Sequence, residues 1–218
     1  MNSKHTGYER RLRKDGFLRV AGVDEAGRGP LAGPVVAAAV IMMDNSLLAG
    51  VDDSKLLTAE ERDDLFEQIR ATAIGVGIGI VNHETIDRVN ILQASFLAME
   101  TAIAQIQPGP DHLLIDGNRF QFPEASLVKS IPYTLVVDGD ARSYSIAAAS
   151  IIAKVTRDRI MVDFEEQFPG YGFAKHKGYS TPEHRDAIFR LGFCEIHRRS
   201  FTVQSQLELP FAEPALRL

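Results

Sequence analysis

The segment Ile74–Ile80 reads IGVGIGI. Apolar residues alternate with glycine at period two, which is the pattern of a β-strand. One face of that strand carries Ile and Val; the other carries no side chain at all. A bare face of this kind admits the backbone of another element at close range. Further short apolar runs at 19–23, 112–116 (HLLID) and 134–137 also read as strands. The run 35–43, rich in Val and Ala, reads as a strand buried on both faces. Helical patterns lie between them. Thr58 stands before Glu60, Glu61, Asp63 and Asp64, so acids crowd a first turn where the helix dipole favours them, and Leu65, Ile69 and Ala73 continue an apolar stripe. Residues 84–106 are helical, in two pieces meeting at Asn90. Residues 145–168 form a long helix with a thin face of Ala147, Ala148, Ala149 and Ala153. Thr181 caps a helix over 182–191, with Pro182 at its first position. Residues 50–57 read as a loop. Strands and helices interleave after a meander-like start, so the class is α/β, and 218 residues suit one domain.

Composition removes several classes. Apolar residues are 45% and charged residues 24%, as in an ordinary globule, and a net charge of −5 excludes a uniformly basic coat for nucleic acid. The charge is uneven. Residues 1–20 hold six Lys/Arg against two acids, residues 41–70 three against eight, and residues 171–201 six against three, with His176, His184 and His197 among them. That asymmetry suits a face for a polyanion, or else solvated helix faces. A single cysteine, Cys194, excludes an internal disulfide and points to a reducing compartment. The N-terminus lacks an apolar core, and the longest apolar run, Ala32 to Met43, falls short of the roughly 20 residues that span a bilayer. The expectation is a cytoplasmic chain that does not enter membranes.

The chemistry-bearing residues are acids. Asp24 and Glu25 follow the first strand, Asp116 ends the 112–116 strand, and Asp140 follows the next, each with a glycine close by. Strand ends are where α/β folds build sites. Four converging carboxylates would repel one another unless protonated or neutralised by a hard cation, and oxygen-only ligands suit Mg²⁺ or Mn²⁺. The alternative is that each acid beside a glycine serves only its turn. Adjacent strand residues also point to opposite faces, so Asp24 and Glu25 share one site only if the strand ends or bulges there, or if one acts through its backbone.

VAGVDEAGRGPLAGPVV (20–36) resembles the signature of the ribonuclease HII family. The likeness continues through DDSKLLT (52–58), LLIDGN (113–118), SIAAASIIAKVTRDR (145–159), YGFAKHKGYST (171–181) and HRRSF (197–201), in order over most of the chain. The resemblance implies a ribonuclease H-like fold, with a central mixed sheet flanked by helices and a helical C-terminal part. It divides the chain into a basic extension (1–16), a catalytic domain (17–201) and a tail (202–218). It implies divalent-metal hydrolysis of RNA in RNA/DNA hybrids, and cutting 5′ of ribonucleotides embedded in duplex DNA. By motif, the catalytic, metal-binding acids are Asp24, Glu25, Asp116 and Asp140. Where the family commonly has Lys-Gly-Asp, this chain has Asp138-Gly139-Asp140, so Asp138 either competes as a ligand or points away. The implied readers of the 2′-hydroxyl are the Gly27-Arg28-Gly29 turn and Tyr179, and Lys55 and Lys177 are implied substrate contacts. Lys154, Lys175, Arg198 and Arg199 also lie beside the motifs and read as phosphate contacts or as solvated charges. Without its motif Tyr179 reads as a packing aromatic.

Two other readings stand beside this one: a related carboxylate-metal nuclease such as a junction resolvase, and a non-catalytic nucleic-acid-binding module. Nothing in the sequence calls for more than a monomer. In the tail, Gln206-Leu207-Glu208-Leu209-Pro210-Phe211 resembles the short peptide by which many bacterial replication and repair proteins dock on the sliding clamp. Pro210 biases Leu209 to extended backbone. Gln206, Leu207, Leu209 and Phe211 are the anchors of a clamp contact, unless the apolar three pack back on the domain.

Overall fold

A computed structural model describes residues 6–43, 48–51, 57–124, 126 and 128–202. Five strands form one mixed sheet: β1 (Val20–Ala26), β2 (Val35–Ile41), β3 (Gly75–Val81), β4 (His112–Asp116) and β5 (Tyr133–Val136), in the order β3-β2-β1-β4-β5. The first three run antiparallel, the expected meander, and β4 and β5 join parallel to β1. The helices are α1 (Gly7–Lys14), α2 (Ala59–Thr72), α3 (His83–Val89), α4 (Ile91–Gln105), α5 (Tyr144–Gln167), α6 (Phe173–His176) and α7 (Pro182–Leu191). Among the described residues no helix is long and apolar enough to cross a membrane.

The sheet lies between two helical layers. β2 is buried throughout: Val35, Ala37, Ala39 and Ile41 meet α4, while Ala38 and Val40 meet α2 and α5. The glycine face of β3 does what its sequence suggests. A Cβ on Gly77 would stand 2.0 Å from the Ala102 carbonyl oxygen, and one on Gly79 would stand 1.9 Å from that of Ala98. The backbone of α4 thus rests on the strand. On the other face, a Cβ on Gly22 of β1 would reach 2.0 Å from the Ser145 carbonyl carbon, so the first turn of α5 sits against β1. A third cluster, with Ala32, Met161, Phe173 and Ile196, ties the helical C-terminal part to α5.

Local signals set the helix ends. Thr58 and Glu61 form a capping box on α2, and Thr181 caps α7 with Pro182 in the first turn. Asn90, at φ 72, ends α3 and caps α4, its Oδ1 accepting the Gln93 N–H at 3.1 Å. Helix α1 arises inside the stretch read as a basic extension. Its Glu9 is buried, and Oε1 accepts from the hydroxyls of Ser143 (2.6 Å) and Ser145 (2.8 Å) and from the Ser145 N–H (3.0 Å) at the start of α5.

Packing of α4 on bare backbone predicts a sharp contrast between glycines. Gly79→Ala should lose about 2–3 kcal/mol in urea denaturation, because neither the strand nor the α4 backbone has room to yield. Gly7→Ala, at the start of α1 in open space, should be neutral or stabilising by up to about 1 kcal/mol. Equal effects at the two positions would contradict this packing.

Candidate active site

β1 pairs regularly with β2 as far as Ala26 (Asp24↔Ala38, Glu25↔Ala37, Ala26↔Val36). The strand therefore runs on through both acids, and they leave by opposite faces. Asp24 turns to α5, where Ser150 hydrogen-bonds its carboxylate. Glu25 turns to the α4 side, sharing a cleft with Ser95 and Met99, and accepts from Arg28 Nη1 at 3.1 Å. What unites them is the neighbouring strand end. Pairing of β1 with β4 stops at Val23↔Ile115, and the next residue of β4 is Asp116. Its Oδ1 accepts the Gly139 N–H at 2.7 Å. Asp140 follows directly, half-buried in the 3-10 turn Gly139–Ala141. Asp138 is exposed at φ 54.

The acids feel one another. Burial holds Asp24 well above the ordinary carboxylate range, and the charges of Glu25 and Asp116 push it further, against the hydrogen bonds from Ser150 and from the Glu25 N–H. Glu25 is also raised by burial and by Asp116, with Arg28 opposing. Among the described residues no group of three His, Cys, Asp or Glu side chains is gathered closely enough to hold a metal ion by itself. The donor chemistry nevertheless fits a hard divalent cation. All the donors are oxygen, and they carry negative charge that protein partners leave only partly compensated.

Beside the acids lies the turn Gly27-Arg28-Gly29. One buried arginine grips it, and a second holds the loop that follows. Arg198 donates from Nη2 to Gly27 O (2.6 Å) and Pro34 O (3.1 Å), from Nη1 to Arg28 O (3.1 Å) and from Nε to Gly33 O (2.9 Å). Arg157 donates to Pro34 O (2.9 Å), Ala32 O (3.1 Å) and Lys177 O (3.0 Å). Burial pushes Arg157 down to about 10 and Arg198 to about 9, so both stay cationic at neutral pH. Gly27 is required twice over: φ is 98°, and a Cβ would meet Arg157 Nε at 2.1 Å. The Tyr179 ring flanks Gly29, has Arg157 Cζ over it at 5.9 Å from the ring centroid, and remains 43% exposed. A cleft of about 500 Å³ joins Glu25, Gly27, Gly29, Ser150, Lys154 and Tyr179. A second, of about 350 Å³, continues past Glu25 and Arg28 to Ser95, Asp116 and Arg119. Glu25 and Arg28 line both.

The basic residues divide. Lys154 lies in the cleft, paired with Asp158 at 2.7 Å. Lys177, at φ 52, directs Nζ to the Ala174 carbonyl. Lys175 is exposed beside Glu183, and Arg199 is exposed. Arg198 corrects the reading as a phosphate contact, since its guanidinium is buried and occupied by carbonyls. His176, His184 and His197 turn inward as well. Lys55 and the tail residues Gln206, Leu207, Leu209 and Phe211 lie outside the described residues. Arg157 and Ser150 escaped the sequence reading. A signal for Arg157 was present: Ala149, Ala153, Arg157 and Met161 recur every four residues on the buried side of α5.

Comparison with known proteins sets this geometry in a family. The model of the family described as Ribonuclease HII matches residues 21–204. The Ribonuclease HII of Geobacter metallireducens is 53% identical over 194 residues, covering 89% of this chain and 88% of that protein. That of Listeria monocytogenes is 50% identical over 204 residues, covering 94% and 76%. Among solved structures, the ribonuclease H2 from Pyrococcus horikoshii is 30% identical with a TM-score of 0.69, over 85% of this chain and 95% of that one. The PCNA:RNase HII complex from Archaeoglobus fulgidus matches at 27% identity and a TM-score of 0.73, over 87% and 98%.

The raised Asp24 yields a prediction with a definite sign. A carboxyl whose folded pKa lies above its ordinary value favours the fold while protonated, and that contribution is lost as pH rises through the folded value. At pH 7, above the ordinary carboxylate value, this carboxyl therefore costs stability whether it stays ionised or takes up a proton on folding. Asp24→Asn should raise Tm at pH 7 by about 2–4 °C, the response to roughly 1 kcal/mol in a chain of this size. The gain should shrink as pH falls towards 4. Calorimetry at the two pH values checks both; a fall in Tm at pH 7 would contradict the charge burden.

Proposed function

The chain belongs to the ribonuclease HII family and is a hydrolytic nuclease of the ribonuclease H type; from that premise we propose its substrates, cation and working residues. Its targets are the RNA strand of RNA/DNA hybrids and the ribonucleotide embedded in duplex DNA, cut on the 5′ side to leave a 3′-hydroxyl and a 5′-phosphate. The observation that carries this reading is the juxtaposition of Asp24, Glu25 and Asp116 with the Gly27–Gly29 turn and Tyr179. Acids beside a glycine turn would suit many nucleases, including junction resolvases. A turn and a tyrosine set to meet one sugar suit an enzyme that reads the 2′-hydroxyl.

Asp24, Glu25, Asp116 and Asp140 are the groups we assign to hold Mg²⁺ or Mn²⁺. When bound, such a cation lowers the pKa of water and offsets charge on the phosphoryl oxygens. The rest falls to the chain itself. Arg198 already occupies the carbonyls of Gly27 and Arg28, so the turn offers its N–H groups to the 2′-oxygen. Tyr179 offers its hydroxyl to the same atom and its ring to the neighbouring sugar. We assign Lys154, which lines the cleft, to the flanking backbone, and Lys177 and Lys55 to it by their motifs. The catalytic unit is residues 17–201. With one cysteine in the whole chain, the reducing cytoplasm is its assigned place, and the monomer its assigned state.

Cleavage of an RNA/DNA hybrid with and without Mg²⁺ tests the reading. Asp116→Asn should keep Tm or raise it while lowering the metal-dependent rate by about 100-fold or more, the scale of losing a group that stabilises transition-state charge. Residual cleavage within about tenfold of the parent would contradict the assignment. Cleavage that needs no metal would contradict it too.

The archaeal relative solved with PCNA bears on the tail. We assign Gln206, Leu207, Leu209 and Phe211 to docking on the sliding clamp. Ending the chain after Ser205 should leave cleavage of short duplexes intact and abolish clamp binding. Retained binding would remove the peptide from the interaction.

A further inference from the structure

Three buried histidines lie behind Tyr179, and their hydrogen bonds run one way. Cys194 surrounds His197 Nδ1 with its N–H at 3.0 Å, its Sγ at 3.1 Å and its carbonyl oxygen at 3.4 Å, and the N–H, the shortest of these, donates to the ring nitrogen. That leaves His197 Nε2 as the protonated nitrogen, facing His184 Nε2 at 3.1 Å. His184 Nδ1 in turn lies 2.9 Å from the Tyr179 carbonyl oxygen, which only accepts. The backbone partners at the two ends therefore set both tautomers: Cys194 N–H to His197, His197 to His184, His184 to Tyr179. Each donor meets one acceptor. His176 stacks on His184 with ring centroids 4.4 Å apart, takes the Gly178 N–H on Nδ1 at 3.2 Å and donates from Nε2 to Tyr171 O at 2.8 Å.

These contacts converge on three residues. Lys177 O is held by Arg157, Gly178 O accepts from the Leu31 N–H at 2.8 Å, and Tyr179 O accepts from the Thr181 N–H at 2.8 Å and from His184, the one side chain among its partners, while the Tyr179 N–H donates to His176 O at 2.9 Å. Lys177 and Gly178 both adopt positive φ (52° and 82°), so the segment needs outside support to keep its shape. The Tyr179 side chain itself is only lightly held and substantially exposed, so its position depends on the backbone beneath it. Burial lowers His184 and His197 to about 4, which keeps both neutral and the chain of bonds intact near pH 7.

We propose that His184 and His197 are positioning residues for substrate recognition: their one-way hydrogen-bond chain, anchored at Cys194, sets the Tyr179 backbone and hence the place of its ring beside the Gly27–Gly29 turn. The inference rests on the reading of Tyr179 as a contact to the ribose.

A double-mutant cycle on a DNA duplex with one ribonucleotide tests it. It follows kcat and KM separately, well below each variant's Tm. His184→Leu should lower kcat/KM by about tenfold or more, the scale expected when a reacting geometry slips. The loss should be smaller on a continuous RNA/DNA hybrid, which offers further 2′-hydroxyls. In a Tyr179→Ala background the same substitution should cost less than about twofold, because the two residues act as one unit. Losses that multiply independently would overturn the proposal. A polar pair keeps the test open if the Leu variant folds poorly. His184→Asn places an amide donor where Nδ1 stood and should retain most activity, whereas His184→Gln should not; equal activities would overturn it. The reading of Tyr179 fails separately, if Tyr179→Ala alone leaves the single-ribonucleotide rate unchanged.

Discussion

Arg157 and Arg198 bury two cations among backbone carbonyls, and the active-site half of the molecule is arranged around them. Transferring an ammonium- or guanidinium-sized ion out of water costs several kcal/mol even after relaxation. Here the carbonyls of Gly27, Arg28, Ala32, Gly33, Pro34 and Lys177 offset that cost with seven hydrogen bonds. The loop between β1 and β2 has no regular structure to satisfy its backbone, so these donors do so instead. The same two side chains fasten that loop to α5, to the C-terminal segment and to the stretch that carries Tyr179. The Gly27–Gly29 turn is thereby fixed by buried charge, while Arg28 and Gly29 at its outer edge stay exposed.

The sheet supplies the other half of the site. Gly22 on β1 and the glycine face of β3 bring α5 and α4 down to backbone contact, one on each side of the sheet that carries the ends of β1 and β4. Asp24, Glu25 and Asp116 emerge there from different faces. Their burial and mutual repulsion are a standing cost to the fold. With these acids assigned to the metal site, stability and the proposed function pull in opposite directions at these positions, as is usual where charge is gathered for catalysis.

Much of this was legible in the sequence because the signals were local. Alternation in 74–80 announced β3 and its bare face. Asn90, Thr58 and the Thr181–Pro182 pair marked helix ends through side-chain caps on N–H groups three residues away. The strand-end acids stood out by position, and their motifs identified the family. The rest depended on contacts remote in sequence. Arg198 and Arg199 look alike in HRRSF, yet one is buried against residues some 165–171 positions earlier and the other is exposed. Glu9 sits in a basic stretch, and only its partners Ser143 and Ser145, more than 130 residues on, explain why α1 docks. The histidines were counted with the basic face because composition does not tell a solvated imidazole from a buried neutral one. The opposed directions of Asp24 and Glu25 also needed the strand register.

The position and chemistry of the cut on a DNA duplex bearing one ribonucleotide test the central claim most directly, beside the same duplex with that sugar 2′-deoxy. A site that reads a 2′-hydroxyl through a rigid turn and a tyrosine should make one cut, on the 5′ side of the ribonucleotide. It should leave a 3′-hydroxyl and a 5′-phosphate, and it should spare the all-DNA duplex. Comparable cleavage of both duplexes, or of neither with Mg²⁺ and Mn²⁺ supplied, would contradict it.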